Sequence, residues 1–110
     1  MPEIACVNGK FTPIDEAVVS VEDRGYQFGD AVYEAIAVYG GRPFLLERHL
    51  ARLQRSLHGI AMEAEVSNAD IESLVHEGLR RSGIPDAIVY LQVSRGAAPR
   101  SHVIPKGIRP

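Results

Sequence analysis

Cysteine is almost absent from this sequence of 110 residues, in which Cys6 is the only one. An intramolecular disulfide and a metal site built from cysteines are therefore excluded. No run approaches the roughly 18 consecutive apolar residues of a membrane-spanning helix. The first residues, Met1-Pro2-Glu3, lack the basic and apolar segments of a signal peptide. These absences predict a cytoplasmic protein without a membrane partner.

An excess of basic residues is missing too, because 12 Lys and Arg residues stand against 14 Asp and Glu residues. The net charge of -2 gives no reason to expect a nucleic-acid partner. The composition is otherwise that of an ordinary globular protein, with 45% apolar and 24% charged residues. A chain of this length is expected to form one compact domain.

The N-terminal part of the sequence predicts short strands. Asn8-Gly9 favours a tight turn between strands at residues 4–7 and 10–12. Val18-Val19 is a candidate for one more short strand. Residues 22–30 are rich in glycine and charge, and we expect an irregular segment there.

Residues 32–38 give a stronger strand signal. Successive side chains of a strand point to opposite faces, so the two faces can be assigned from the sequence. One face carries Val32, Glu34, Ile36 and Val38, and the other carries Tyr33, Ala35, Ala37 and Tyr39. After a turn at Gly40-Gly41, residues 42–45 can pair back. Neither face is wholly polar, so we expect both faces of this hairpin to be covered.

Two helices and a last strand follow. The first helix has an apolar stripe at helical spacing, and Gly59 is expected to end it. The second begins at the N-cap Ser67 and ends at Gly83. Residues 87–93 are β-branched and largely apolar, which is typical of a central strand. This order of elements predicts an α+β domain with two helices packed on a mostly antiparallel sheet. The stripe consists of Leu46, Leu50, Leu53, Leu57 and Ile60.

Two basic clusters are candidates for chemistry, whereas dinucleotide-binding, P-loop, zinc-protease and serine-hydrolase motifs are absent. Arg100 and His102 lie two apart, so in an extended segment both side chains could bind one anion. His49 and Arg52 lie three apart beside the apolar stripe, where Arg52 could reach a phosphate or a carboxylate. A solvated loop and a surface arginine packed along its stem remain the alternatives.

Residues 22–34 (EDRGYQFGDAVYE) resemble a signature of the class IV, or fold-type IV, pyridoxal-phosphate aminotransferases. The resemblance continues, in order and with matching spacing, through residues 47–53 (ERHLARL), 90–96 (YLQVSRG) and 99–102 (PRSH). It is closest to the D-amino-acid transaminases of that family. Residues 1–104 are similar to their small N-terminal α+β domain, with the interdomain linker starting at 105–110.

The resemblance implies roles for four residues. Arg52 matches the arginine that holds the cofactor phosphate, and Tyr33 matches an active-site tyrosine near the substrate. Arg100 and His102 match the pair that binds the substrate α-carboxylate together with this tyrosine. In the family this pair reaches into the active site of the other subunit, which implies a homodimer.

The implied activity is transfer of the amino group of a D-amino acid, such as D-alanine, to a 2-oxo acid, with pyridoxal phosphate as cofactor. Transamination needs a Schiff-base lysine. Lys10 and Lys106 are the only lysines, and neither matches the family lysine, which belongs to the C-terminal domain. We therefore expect no catalytic residue in this chain and no activity of the chain alone.

Alternatives remain open at this point. Branched-chain aminotransferases and aminodeoxychorismate lyases share the fold, although the arginine–histidine pair favours the D-amino-acid branch. The chain could also be a non-catalytic carboxylate-binding domain, or a dimerisation module without a ligand.

Overall fold

The computed structural model describes residues 3–62 and 66–110. These residues form short antiparallel sheets and α-helices, which confirms the predicted α+β class. None of the helices in this part of the chain is long and apolar enough to cross a membrane. The elements are β1 (Ile4–Val7), β2 (Lys10–Pro13), a 3-10 helix (Ile14–Glu16), α1 (Arg24–Phe28), β3 (Ala31–Tyr39), β4 (Arg42–Pro43), α2 (Leu46–Gly59), α3 (Asn68–Ser82) and β5 (Ala87–Ser94).

The larger sheet has three strands in the order β4-β3-β5. β3 pairs with β5 along its length, from Ala31 opposite Ser94 to Val38 opposite Ala87. β5 is thus an edge strand in this chain, and the prediction of a central strand there is wrong. β4 is shorter than predicted because Leu45 adopts a left-handed φ of 56° and turns the chain into α2.

The core lies between β3 and α2, as the two apolar patterns predict. Val32, Ile36 and Val38 of β3 are at most 8% exposed. The α2 stripe supplies Leu50, Leu53 and Leu57, each at most 2% exposed. Burial of one such side chain contributes about 1.5–3 kcal/mol. This packing orients the face of α2 that carries His49 and Arg52 toward β3.

The other face of this sheet is exposed, so the expectation that both faces are covered is wrong for this chain. We call it the open face, and Tyr33, Tyr39, Ile88 and Tyr90 on it are all more than half exposed. The physical reason is that α2 covers only one side of β3, whereas α3 packs against β1 of the N-terminal hairpin.

Residues 22–30 contain the short helix α1 rather than a wholly irregular segment. The Asp23 carboxylate accepts a hydrogen bond from the Gly25 amide at 2.8 Å, and Gly29 ends the helix with a left-handed φ of 67°. The charged residues and glycines of this segment therefore include the two caps of a single helical turn. The candidate strand at Val18-Val19 does not form.

The ends of α3 agree with the sequence analysis. The Ser67 hydroxyl accepts a hydrogen bond from the Asp70 amide at 3.0 Å. Gly83 follows the helix in the left-handed conformation, and its amide donates to the Leu79 carbonyl. Gly59 is likewise the last residue of α2. At the two ends of α3, Ser67 and Gly83 thus provide partners for backbone groups that a helix end leaves without one.

Candidate functional site

Glu34 is a buried acid in the middle of β3, only 3% exposed, and it faces α2. Arg52 donates to both of its carboxylate oxygens, from Nε at 2.8 Å and from Nη2 at 2.7 Å. Nδ1 of His49 lies 2.6 Å from Oε1 of Glu34. Residues three apart on a helix share a face, so one carboxylate can bind both side chains. The sequence places Glu34 on the inward face but does not reveal these partners.

The electrostatics of this cluster keep Glu34 and Arg52 ionised. The hydrogen-bonded Arg52 guanidinium is the main reason why the pKa of Glu34 falls to about 2, against the opposing effect of burial, and His49 adds to the lowering. Glu34 in turn raises the pKa of Arg52. An ionised carboxylate can only accept hydrogen bonds, so Nδ1 of His49 carries a proton.

Arg52 presents its outer edge to solvent even though its inner edge holds Glu34. Its side chain is 59% exposed. Nη1 and the second proton of Nη2 are donors that the bonds to Glu34 do not use. The result is a cation fixed by a buried anion, with donors directed outward that suit a phosphate or a carboxylate.

Tyr33 precedes Glu34 in β3 but lies on the open face of the sheet. Its ring stacks on that of Tyr90, with centroids 5.6 Å apart and planes 24° apart. The Tyr90 hydroxyl donates to Oε1 of Gln92 at 2.7 Å. Tyr33 thus has an exposed phenol on an aromatic surface rather than a place in the core.

Arg100 and His102 both lie against the ring of Phe28. The guanidinium carbon of Arg100 is 5.2 Å from the ring centroid, and the His102 ring centroid is 5.6 Å from it. The backbone bends here instead of running straight. The premise of an extended segment is therefore wrong, yet the two side chains still meet at one ring.

The predicted site residues form separate groups in this chain. Arg52 binds Glu34, Tyr33 stacks on Tyr90, and Arg100 and His102 contact Phe28. Within residues 3–62 and 66–110, no hydrogen bond joins Arg100 or His102 to Tyr33 or Arg52.

A second ion network was not foreseen from the sequence. Arg24 and Arg95, at 5% and 8% exposure, both donate from Nε to Oδ2 of Asp30, at 3.0 and 2.8 Å. Burial raises the pKa of Asp30, but the hydrogen bonds and charges of the two arginines outweigh it and leave that pKa below its usual value. Arg95 also donates to the Ile60 carbonyl at 2.7 Å. The network joins the end of α2 to the segment around α1.

Comparison with known proteins gives consistent matches. Residues 31–109 match the profile of the family described as amino-transferase class IV. A D-alanine aminotransferase of Bacillus licheniformis is 43% identical over 103 residues, which are 94% of this chain and 36% of that protein. The chain therefore spans about a third of the length of such relatives.

Solved structures give the same fold. A T.th. branched-chain amino acid aminotransferase, complexed with N-(5'-phosphopyridoxyl)-L-glutamate, has a TM-score of 0.81 and 26% identity, covering 92% of this chain and 35% of that one. A 4-amino-4-deoxychorismate lyase of Pseudomonas aeruginosa has a TM-score of 0.71 and 35% identity, covering 84% of this chain and 33% of that one.

Proposed function

This chain belongs to the amino-transferase class IV family, and from that premise we propose that it is the N-terminal domain of a D-amino-acid aminotransferase. The complete enzyme would transfer the amino group of a D-amino acid, such as D-alanine, to a 2-oxo acid. The observation that carries the proposal is the exposed Arg52 guanidinium held by buried Glu34. The identity to a D-alanine aminotransferase supports the substrate class. We propose that residues 1–104 form the domain and that 105–110 begin a linker.

Pyridoxal phosphate is the cofactor that we propose for the complete enzyme, and Arg52 fits its phosphate end. Its outward donors can make charge-assisted hydrogen bonds to a phosphate, while Glu34 keeps the guanidinium in place. Lys10 and Lys106 are both exposed, on the N-terminal hairpin and in the C-terminal tail. Neither fits the reactive lysine, so that lysine belongs to a part of the enzyme outside this chain. When bound, the cofactor stabilises the carbanion left by loss of the α-proton.

The substrate carboxylate is the ligand that we propose for Arg100 and His102, together with Tyr33. A guanidinium, an imidazole and a phenol can hold a carboxylate in one orientation. Because neither Arg100 nor His102 is bonded to Tyr33 of its own chain, we propose that the pair serves the site of a second subunit. The complete enzyme would then be a cytoplasmic homodimer.

A second candidate is a different reaction on the same fold. The lyase from Pseudomonas aeruginosa is 35% identical to this chain, and the branched-chain enzyme has the higher TM-score. A third candidate, a carboxylate-binding domain without catalysis, is supported by the lack of a suitable lysine. The pair Arg100 and His102 resembles the arginine–histidine pair of the D-amino-acid branch of the family, and it therefore favours the D-amino-acid reaction.

The experiment uses a chimaera in which this chain replaces the matching region of the Bacillus licheniformis D-alanine aminotransferase. We expect it to form pyruvate from D-alanine and 2-oxoglutarate. Arg100→Ala should raise the KM for D-alanine by one to two decades, since a charge-assisted bond is worth roughly 1.5–3 kcal/mol. Arg52→Ala should instead weaken binding of pyridoxal phosphate.

The matched control is Arg55→Ala, which removes an exposed arginine of α2 and should change neither constant. Equal effects of Arg52→Ala and Arg100→Ala on cofactor affinity would contradict the two roles. A chimaera that acts on branched-chain L-amino acids and not on D-alanine would favour the second candidate.

A further inference from the structure

Arg24 lies beneath the loop that carries Arg100 and His102. It is the first residue of α1 and is 5% exposed. Its Nη1 donates to the carbonyl of Ser101 at 2.6 Å, while its Nε donates to Asp30. Ser101 is the residue between Arg100 and His102, so a buried cation holds the backbone at the midpoint of that pair.

Phe28 gives the same two residues a common support. It lies one helical turn after Arg24, whose guanidinium carbon is 4.6 Å from the ring centroid. The ring also contacts Arg100 and His102, at the distances given above. Helix α1 therefore fixes the loop twice, through its backbone by Arg24 and through its side chains by Phe28.

Asp30 ties this support to the core of the domain. Its carboxylate binds Arg24 and Arg95 at once, and Arg95 extends to the Ile60 carbonyl beyond α2. The loop backbone is bonded to the same segment, because the Arg24 amide donates to the Gly96 carbonyl at 2.8 Å. Two buried guanidiniums share one carboxylate here.

We propose that Arg24 is a positioning residue for substrate binding: it sets the placement of Arg100 and His102 without touching the substrate. This inference rests on the proposed function, in which those two residues bind the α-carboxylate. The planar guanidinium suits the task because it donates to Asp30 and to Ser101 from separate nitrogens. A lysine, with one nitrogen, is expected to perform it only in part.

The first experiment measures the loop in this chain by NMR. Protons near an aromatic ring have shifts that depend on their distance from it, so Arg100 and His102 report their contact with Phe28. Arg24→Met keeps an apolar stem beside Phe28 and removes the donors. It should move both sets of shifts toward those of Phe28→Leu, while the amide signals of β3 stay unchanged.

Arg24→Lys should give intermediate shifts, and Arg55→Ala should leave them as in the unmodified chain. Because Asp30 keeps its bond to Arg95, we expect the methionine variant to fold. If Arg24→Met does not fold, Arg24→Lys decides, since the lysine retains a cation beside Asp30. Native shifts of Arg100 and His102 in Arg24→Met, or in Arg24→Lys where only that variant folds, would overturn the proposal.

The second experiment uses the chimaeric enzyme. Arg24→Met should raise the KM for D-alanine by up to about one to two decades, because it would misplace the charge-assisted contacts whose complete loss, as in Arg100→Ala, has an effect of that size. It should leave kcat and the Kd for pyridoxal phosphate within about twofold, since a carboxylate contact is made in ground state and transition state alike.

Two failures are distinguishable. An inactive parent chimaera, or one that does not use D-alanine, counts against the proposed function, and the NMR measurement still decides whether Arg24 positions the loop. The other failure concerns a parent chimaera that does use D-alanine. If its Arg24→Met variant has a lower kcat, a weaker cofactor affinity and a higher KM, all by the same factor, the positioning role is overturned. Partial recovery of KM by Arg24→Lys supports it.

Discussion

Glu34→Gln is the substitution that most directly tests the electrostatics of the candidate site. The amide has the shape of the carboxylate, but it lacks the charge and directs two N–H donors toward groups that also donate. The pKa of the Glu34 carboxylate falls from 4.5 to about 2 in the folded chain. This shift sets an upper limit of about 3 kcal/mol for the contribution of that carboxylate to the free energy of unfolding. Arg52 is 59% exposed, so solvent screening reduces this to about 1–2 kcal/mol.

The pH dependence has a definite sign. The folded state lowers the pKa of Glu34, so the carboxylate stabilises the fold above pH 4.5, and this contribution is lost as the pH falls from 4.5 toward about 2. Glu34→Gln has no such contribution to lose. The difference in unfolding free energy between the two proteins should be largest near pH 7 and should shrink toward zero at about pH 2.

Urea unfolding followed by circular dichroism, at several pH values from neutral to acid, measures this difference. The matched control is Glu77→Gln, since Glu77 also binds two arginines but does so on the surface of α3, and its loss should be much smaller. Asp30 contributes acid sensitivity to both proteins and cancels in the comparison. A Glu34→Gln difference that is constant between pH 7 and acid, or no larger than that of the control, would refute the reasoning.

Three further predictions concern the whole chain. With pyridoxal phosphate, D-alanine and 2-oxoglutarate as the amino acceptor, the chain alone should form no pyruvate, because neither of its lysines suits the reaction; sustained turnover would refute this and direct attention to Lys106. Sedimentation over a dilution series should reveal self-association through the open face, which Ile88→Glu should weaken; a strictly monomeric unmodified chain at high concentration would count against it. Gly96→Ala should lower the free energy of unfolding by at least about 1 kcal/mol. The added Cβ would clash with the Arg109 carbonyl oxygen, and the backbone at this position has a φ of 119°. An unchanged melting temperature would contradict this.

The apolar patterns predicted the core elements because burial imposes a period on the chain. β3 and α2 each bury one face, so their apolar residues recur every second residue or along one helical stripe. The helix ends at Ser67 and Gly83 were predictable for a related reason, since a local backbone group needs a local partner. Such signals are contained within a few residues of sequence.

Partners that are distant in the chain left no comparable signal. Asp30 and Arg95 are 65 positions apart in the sequence and are brought together by the pairing of β3 with β5. A single-turn helix such as α1 is too short to show periodicity. The apolar residues of the open face indicated burial, but a pattern does not state which segment provides the cover. Glu34 gave a partial signal, because an acid among inward-facing apolar residues requires a positive partner, but the sequence did not identify His49 and Arg52 as that partner.

The arrangement of the three-stranded sheet also determines the order in which a ribosome can complete this domain. β3 leaves the ribosome early, and β4 and α2 follow it at once, so the hairpin and the core between β3 and α2 can assemble during synthesis. The remaining edge of β3 waits for β5, which emerges only after α3. Until then its backbone N–H and C=O groups are available to any other extended chain. Synthesis of the segment from Tyr39 to Ser94 is therefore the interval in which mispairing between nascent copies competes with folding.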